Sequence, residues 1–180
     1  MRAAARRWRR GVFLLAILAL MSTSRVGRSQ EVAGPALKAA FLFNFVKFTT
    51  WPVDVLPDAA PLLMCVVNDP AIGQSLSSAV RGRAVLGHEI RVMETDAPSA
   101  LRACHLLYVS GTRADALKTV AAVRNAPVLT VSDVQAFTSA GGIAQLHVQQ
   151  GQLRFAIAPD TARAARLHIS SKLLTLARKP

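Results

Sequence analysis

Cysteine is scarce in this chain of 180 residues, with only Cys65 and Cys104 present and no C-x-x-C motif. The four histidines, His88, His105, His147 and His168, are scattered and lack H-x-x-x-H spacing. No metal centre is expected, because the short ligand spacings typical of zinc sites are missing. Acids are few, 10 in all, and no sequence-adjacent pair suggests general acid–base work. Ser132-Asp133 and His168 can be combined on paper into a triad, but no nucleophile-elbow sequence supports it. No G-x-G-x-x-G and no P-loop follows any apolar run, so nothing is present to cradle a nucleotide phosphate. Neither an enzyme nor a cofactor is expected. A long apolar run is missing too: Val12 to Met21 is roughly ten residues, where a bilayer span needs about 20.

Acids are absent altogether from residues 1–30, which hold Arg2, Arg6, Arg7, Arg9, Arg10, Arg25 and Arg28. The net charge of +12 is therefore concentrated at one end. Without those seven, 15 basic residues face 10 acidic ones, a net of +5 spread along the chain. Such a distribution forms no basic stripe, and nucleic acid is not an expected partner. Arg2 to Arg10, the apolar Val12–Met21 and the small Ser22-Thr-Ser24 have the layout of a secretory signal peptide over residues 1–24. An uncleaved anchor is the alternative, and Arg9-Arg10 before Val12-Phe13-Leu14 leaves Sec and twin-arginine export both open. No cysteine near the cleavage region provides for lipidation. Residues 25–34 read as a mobile polar leader, and the domain as 35–180.

What is present is a core. At 52% hydrophobic residues, the chain has enough apolar side chains for one domain. Pro35 suits the first turn of a helix running to about Thr49, ended by Trp51-Pro52. Leu37, Phe41, Phe45 and Phe48 share a stripe that Leu42 and Val46 widen, while Phe43 falls opposite, beside Ala36, Ala40 and Lys47. Phe43 is either covered by another part of the fold or exposed as an anchor for a partner. Leu62–Val67, Leu106–Val109 and Val128–Val131 are apolar throughout apart from one threonine, as strands inside a parallel sheet are. His88–Glu94 alternates, with Ile90 and Val92 inward, and reads as an edge strand. Helices are expected at Ala71–Val80, near Ser99–Ala103, at Arg113–Arg124, for two turns over Val134–Ala140, and after Pro159. Ile143–Ile157 reads as a hairpin turning at Gln150-Gly151, and Ser170-Ser171 caps a last helix bearing Leu173, Leu174 and Leu176.

The expected fold is α/β: a three-layer sandwich around a mostly parallel, doubly wound sheet with an antiparallel C-terminal hairpin. Right-handed crossovers order its first four strands 2-1-3-4. Cys65 then lies in a strand next to the one that Cys104 precedes, so export to an oxidising compartment favours a disulfide over two separate buried thiols. A ligand crevice at the order switch would be walled by Asn68, Asp69, Ser110 and Thr112, residues that read more readily as caps of the helices that follow.

Leu129-Thr-Val-Ser-Asp133, Gly141-Gly142, the hairpin, and Ile169-Ser-Ser-Lys-Leu-Leu174 running to Leu176-Ala-Arg178 occur in this order, with a further match at Ala39–Pro52. In these the chain resembles the YfiR family of bacterial periplasmic proteins, over nearly all of its length after residue 34. The resemblance implies a repressor that binds the periplasmic sensory segment of an inner-membrane diguanylate cyclase. Its release would raise cyclic di-GMP and promote biofilm growth. It also implies that an outer-membrane lipoprotein can sequester the repressor. Some relatives carry a second cysteine pair, which this chain lacks. The alternative function is a small-ligand-binding domain serving another sensor, such as a histidine kinase. Phe43, Lys47, Leu173, Leu174 and Leu176 are the expected contact surface for the sensor or for a second copy in a homodimer.

Overall fold

Apolar runs without a polar face become the middle of the sheet. The computed structural model describes residues 33–177. The signal-peptide expectation and nearly all of the leader lie outside them. Seven strands form one sheet in the order β3-β4-β2-β5-β6-β7-β8. Here β2 is Leu62–Val67, β3 Ala84–Val85, β4 His88–Glu94, β5 Leu106–Val109, β6 Leu129–Ser132, β7 Ala144–Gln149 and β8 Gln152–Ile157. Pairing is parallel from β4 across β2, β5 and β6 to β7, then antiparallel between β7 and β8. Every side chain of β5 and β6 is buried. Strands covered on both faces tolerate no wet side, which is why their runs are continuously apolar.

Helices lie on both faces, making three layers. On one face α1 (Pro35–Lys47) and α2 (Pro70–Val80) enclose the larger core with Met64, Val66, Leu106 and Tyr108. On the other, α3 (Pro98–Leu101) and α4 (Arg113–Ala122) cover Cys65, Val67, Leu107 and Val109. The division follows the two-residue period of strand side chains. The sheet closes with a two-residue hairpin turn, where Gln150 and Gly151 have φ of +50° and +70°. Two successive left-handed residues match the right-handed twist of the flanking strands. The remaining helices are α5 (Pro159–Ala164) and α6 (Ser171–Leu176), and the Ser170 hydroxyl accepts from Lys172 N–H as the expected cap.

Four local expectations are corrected. Val134–Ala140 does not form two helical turns; a 3-10 turn covers only Thr138–Ala140. Ser132 Oγ accepts from Val134 N–H, Gln145 Oε1 accepts from Phe137 N–H, and Ala136 has φ of +58°. Gln145 thus takes the amide hydrogen that Phe137 would give to a helix, and the left-handed Ala136 breaks the turn. Helix α1 stops at Lys47, because β1 (Thr49–Thr50) pairs antiparallel with β9 (His168–Ile169). β4 is not the edge, since β3 pairs outside it. The buried arc of α1 is also turned from the expected stripe: Ala39, Leu42, Phe45 and Val46 are buried. Leu37 is 39% exposed, and Phe41 and Phe48 are half-buried. A helix that packs on a neighbouring helix as well as on a sheet buries a different arc from one that packs on the sheet alone.

Candidate functional site

The expected crevice begins where β2 and β5 end and the chain departs in opposite directions. Two of its four residues, Asp69 and Thr112, are already engaged. Asp69 Oδ1 accepts from Ile72 N–H at 3.1 Å and caps α2. Thr112 Oγ1 accepts from Asp115 N–H at 3.2 Å, and the Asp115 carboxylate accepts from Thr112 N–H at 3.1 Å, a reciprocal capping box on α4. The Thr112 hydroxyl, which donates to the Asp115 carboxylate at 2.7 Å, and then the Thr112 N–H hold that carboxyl below the usual carboxylate range. Asn68 Nδ2 faces the Ser110 carbonyl at 3.5 Å, too far for a strong bond. The structure thus brings Asn68 and Ser110 together and assigns Asp69 and Thr112 to helix ends.

Beneath this mouth lies a group that the sequence did not single out. Tyr108 is fully buried, and its hydroxyl makes no hydrogen bond of acceptable geometry. Burial, then the nearby charges of Asp133 and Asp69, push its pKa far above the ordinary tyrosine value, so it stays protonated. Asp133 itself is held by Lys38 of α1, with Nζ at 2.5 Å from Oδ2. That ion pair ties the start of α1 to the loop after β6.

Cys65 and Cys104 form a disulfide with Cα atoms 5.9 Å apart. The next residue, His105, is buried between β2 and the Trp51 loop. Its Nδ1 accepts from Leu63 N–H at 2.9 Å, its Nε2 lies 3.4 Å from the Val55 carbonyl, and its own carbonyl accepts from Trp51 Nε1 at 3.2 Å. Burial lowers its pKa, opposed by the Val55 carbonyl and aided by the charge of His88. Protonation at Nδ1 would set two donors against each other. An unfolded chain takes the proton near pH 6.5, and the folded one only at lower pH, so acid favours unfolding. His105 is therefore expected to contribute stability that is complete above about pH 6.5 and is lost as the pH falls toward its lower folded pKa. Urea midpoints at about pH 7.5 and about pH 5 measure this, and His105→Gln should flatten the difference. An undiminished difference in the variant refutes it.

The expected contact residues separate. Leu173 is 4% exposed and belongs to the larger core, so it is not available as contact surface. Leu174 is half-buried, and Leu176 is 67% exposed. Phe43 is half-buried against the core, with Lys47 Nζ 5.6 Å and Arg83 Cζ 5.2 Å from its ring centroid. Lys172 Nζ lies 5.8 Å from the Phe48 ring. Arg83 follows α2, forty residues on from Phe43 in sequence, and no local pattern announces that meeting. An open groove of about 600 Å³ lies elsewhere, between α4 and α5, with Val123, Arg124, Gly141, Ile143 and Asp160 in its wall. Asp160 is paired there with Arg163.

Among the described residues, no three His, Cys, Asp or Glu side chains are grouped to hold a metal, and no helix is long and apolar enough to cross a membrane. No curated protein matches the chain. Among solved structures, a conserved domain protein from Vibrio cholerae aligns with a TM-score of 0.47 at 12% identity, over 81% of this chain and 60% of that one. A phosphoglycerate oxidoreductase from Rhizobium etli aligns with a TM-score of 0.33 at 14% identity, over 57% of this chain and 52% of that one. The chain thus spans less than two thirds of either structure, and neither likeness bears on function. Residues 35–178, from the first turn of α1 to just beyond α6, match the YfiR/HmsC-like family. The chain belongs to that family, whose members are periplasmic regulators associated with diguanylate cyclases.

Proposed function

We propose that this protein represses an inner-membrane diguanylate cyclase by binding its periplasmic sensory segment, and that an outer-membrane lipoprotein can draw it away. The observation that carries this is the outer side of α1. A large aromatic, Phe43, is left half-buried with two cations at its ring. Phe43 and Lys47, with Leu174 and Leu176 at the end of α6, supply the contact. Aromatic side chains at a protein surface are frequent anchors, because they bury much area at little entropic cost.

Deleting the gene is expected to raise cellular cyclic di-GMP, and restoring the secreted protein to lower it. Unchanged cyclic di-GMP would refute repression. Phe43→Ala is expected to weaken association with the sensory segment by about 2 kcal/mol or more. Because the ring is only half-buried, its loss should cost folding roughly half of the 3–5 kcal/mol of a fully buried phenylalanine. Titration calorimetry and a melting curve on the same purified variant read both effects. A full-sized drop in stability with unaltered affinity would return Phe43 to the core.

A further inference from the structure

The hairpin between β3 and β4 turns on two residues, Leu86 and Gly87, with Val85 paired to His88 across it. Their φ angles are +52° and +87°. Two consecutive left-handed residues in a two-residue loop make a type I′ turn, whose first position suits Asn, Asp or Gly. Leucine is a poor choice there, because its side chain crowds the backbone at positive φ. Burial does not account for it either, since Leu86 is 71% exposed. A side chain that neither suits its turn nor joins the core calls for a role outside the fold.

Its neighbours indicate that role. Leu86 lines a shallow cleft with Thr49, Thr50 and Trp51, just past the end of α1. Arg83, immediately before the same hairpin, stands with Lys47 at the ring of Phe43. Arg83 and Leu86 thus flank β3 at its two ends, beside the C-terminal half of α1 that carries Lys47. Among the described residues neither cation has a carboxylate within ion-pair distance, although Lys38, Arg91, Arg163 and Arg166 each have one.

We propose that the Leu86 hairpin tip, with Lys47 and Arg83, is the docking point for an acidic segment of a partner protein. The partner receives Leu86 in an apolar pocket and sets carboxylates against the two cations. This deepens the reading given above and rests on it for the partner's identity alone. A bilayer is the poorer occupant, because peripheral helices hold membranes with a continuous apolar face beside a dense row of cations. Here a single leucine projects beside a ring already half covered. A second copy is poorer as well, since residues 31–180 carry 15 basic side chains against 10 acidic ones and would set like charge against like.

Replacing Leu86 with the photoreactive residue benzoylphenylalanine and irradiating cells of the native host tests the proposal. The expected product joins position 86 to a protein whose attached peptide, sequenced by mass spectrometry, carries Asp or Glu close to the attachment point. Lys47→Glu combined with Arg83→Glu should lower its yield by about ten-fold or more while circular dichroism is unchanged. Leu86→Asn suits the turn better than leucine does, so its melting temperature should equal or exceed that of the wild type. In the same variant, binding of the captured segment should weaken by about ten-fold or more. An adduct to lipid, an adduct to a second copy, or no adduct at position 86 would overturn the proposal. An acidic segment from a protein with no diguanylate cyclase domain would keep the docking point and sink the repression reading. A cyclase segment joined far from any carboxylate would do the reverse.

Discussion

Cys65→Ser is expected to lower the stability of the fold by about 2–5 kcal/mol, the usual loss when a native disulfide is removed from a small secreted domain. The position explains the size. Cys65 lies in β2, between β4 and β5, and Cys104 sits two residues before β5 begins. The bond closes a sequence separation of 39, for which the chain-entropy model gives roughly 3–4 kcal/mol. Both residues are buried, 0% and 2% exposed, among Val67, Leu101, Leu107 and Val109. A serine hydroxyl there enters an apolar cluster and adds a desolvation cost. A domain's whole stability is about 5–15 kcal/mol, so the loss is a large fraction. Urea denaturation of the oxidised protein, Cys65→Ser and Cys65→Ala reads it directly. Cys65→Ala should retain most of the loss, because the bond rather than the hydroxyl dominates. An unchanged midpoint, or alkylatable thiols in protein purified from the periplasm, would refute the assignment.

The parts legible in the sequence were those fixed by a repeating pattern or a special backbone. β2, β5 and β6 were readable because a strand covered on both faces is apolar throughout. Gln150-Gly151 was readable because only certain residues accept two positive φ angles in succession. The disulfide followed from the strand order, which crossover handedness restricts. Features created by tertiary meetings were not legible. Val134–Ala140 looks helical until Gln145, which lies in the next strand, claims the Phe137 amide hydrogen. Thr49–Thr50 becomes a strand only because His168–Ile169 arrives beside it. Of the contact residues, Leu173 could not be separated from Leu176 by spacing alone, yet one is buried and the other exposed. Leu86-Gly87 did carry a local signal, a small hairpin turn with an unsuitable leucine. It becomes informative only once the backbone angles are known.

Phe45→Ala is expected to destabilise the fold by about 3–5 kcal/mol, the cost of emptying a fully buried phenylalanine site that cannot collapse. Phe45 is 1% exposed, on the arc that α1 buries. Its ring meets Phe155 edge-to-face with centroids 5.1 Å apart and Phe41 at 6.3 Å, and Phe41 in turn meets Phe155 at 6.0 Å. Phe155 belongs to β8, so the three rings fasten α1 to the far antiparallel hairpin. Two such contacts add about 0.5–1.5 kcal/mol each beyond the area they bury. Neighbouring atoms cannot fill the gap readily, because α1 is also held by Lys38–Asp133 at its start and by Thr49 pairing with Ile169 just beyond its end. For a domain of this size, about 1 kcal/mol corresponds to roughly 2–4 °C in melting temperature, so a fall on the order of 10 °C is expected. Phe43→Ala, two residues earlier and on the other side of the helix, should lower the melting temperature by roughly half as much. Equal losses at Phe43 and Phe45 would show α1 to be buried on all sides, and would remove the surface on which partner binding is proposed.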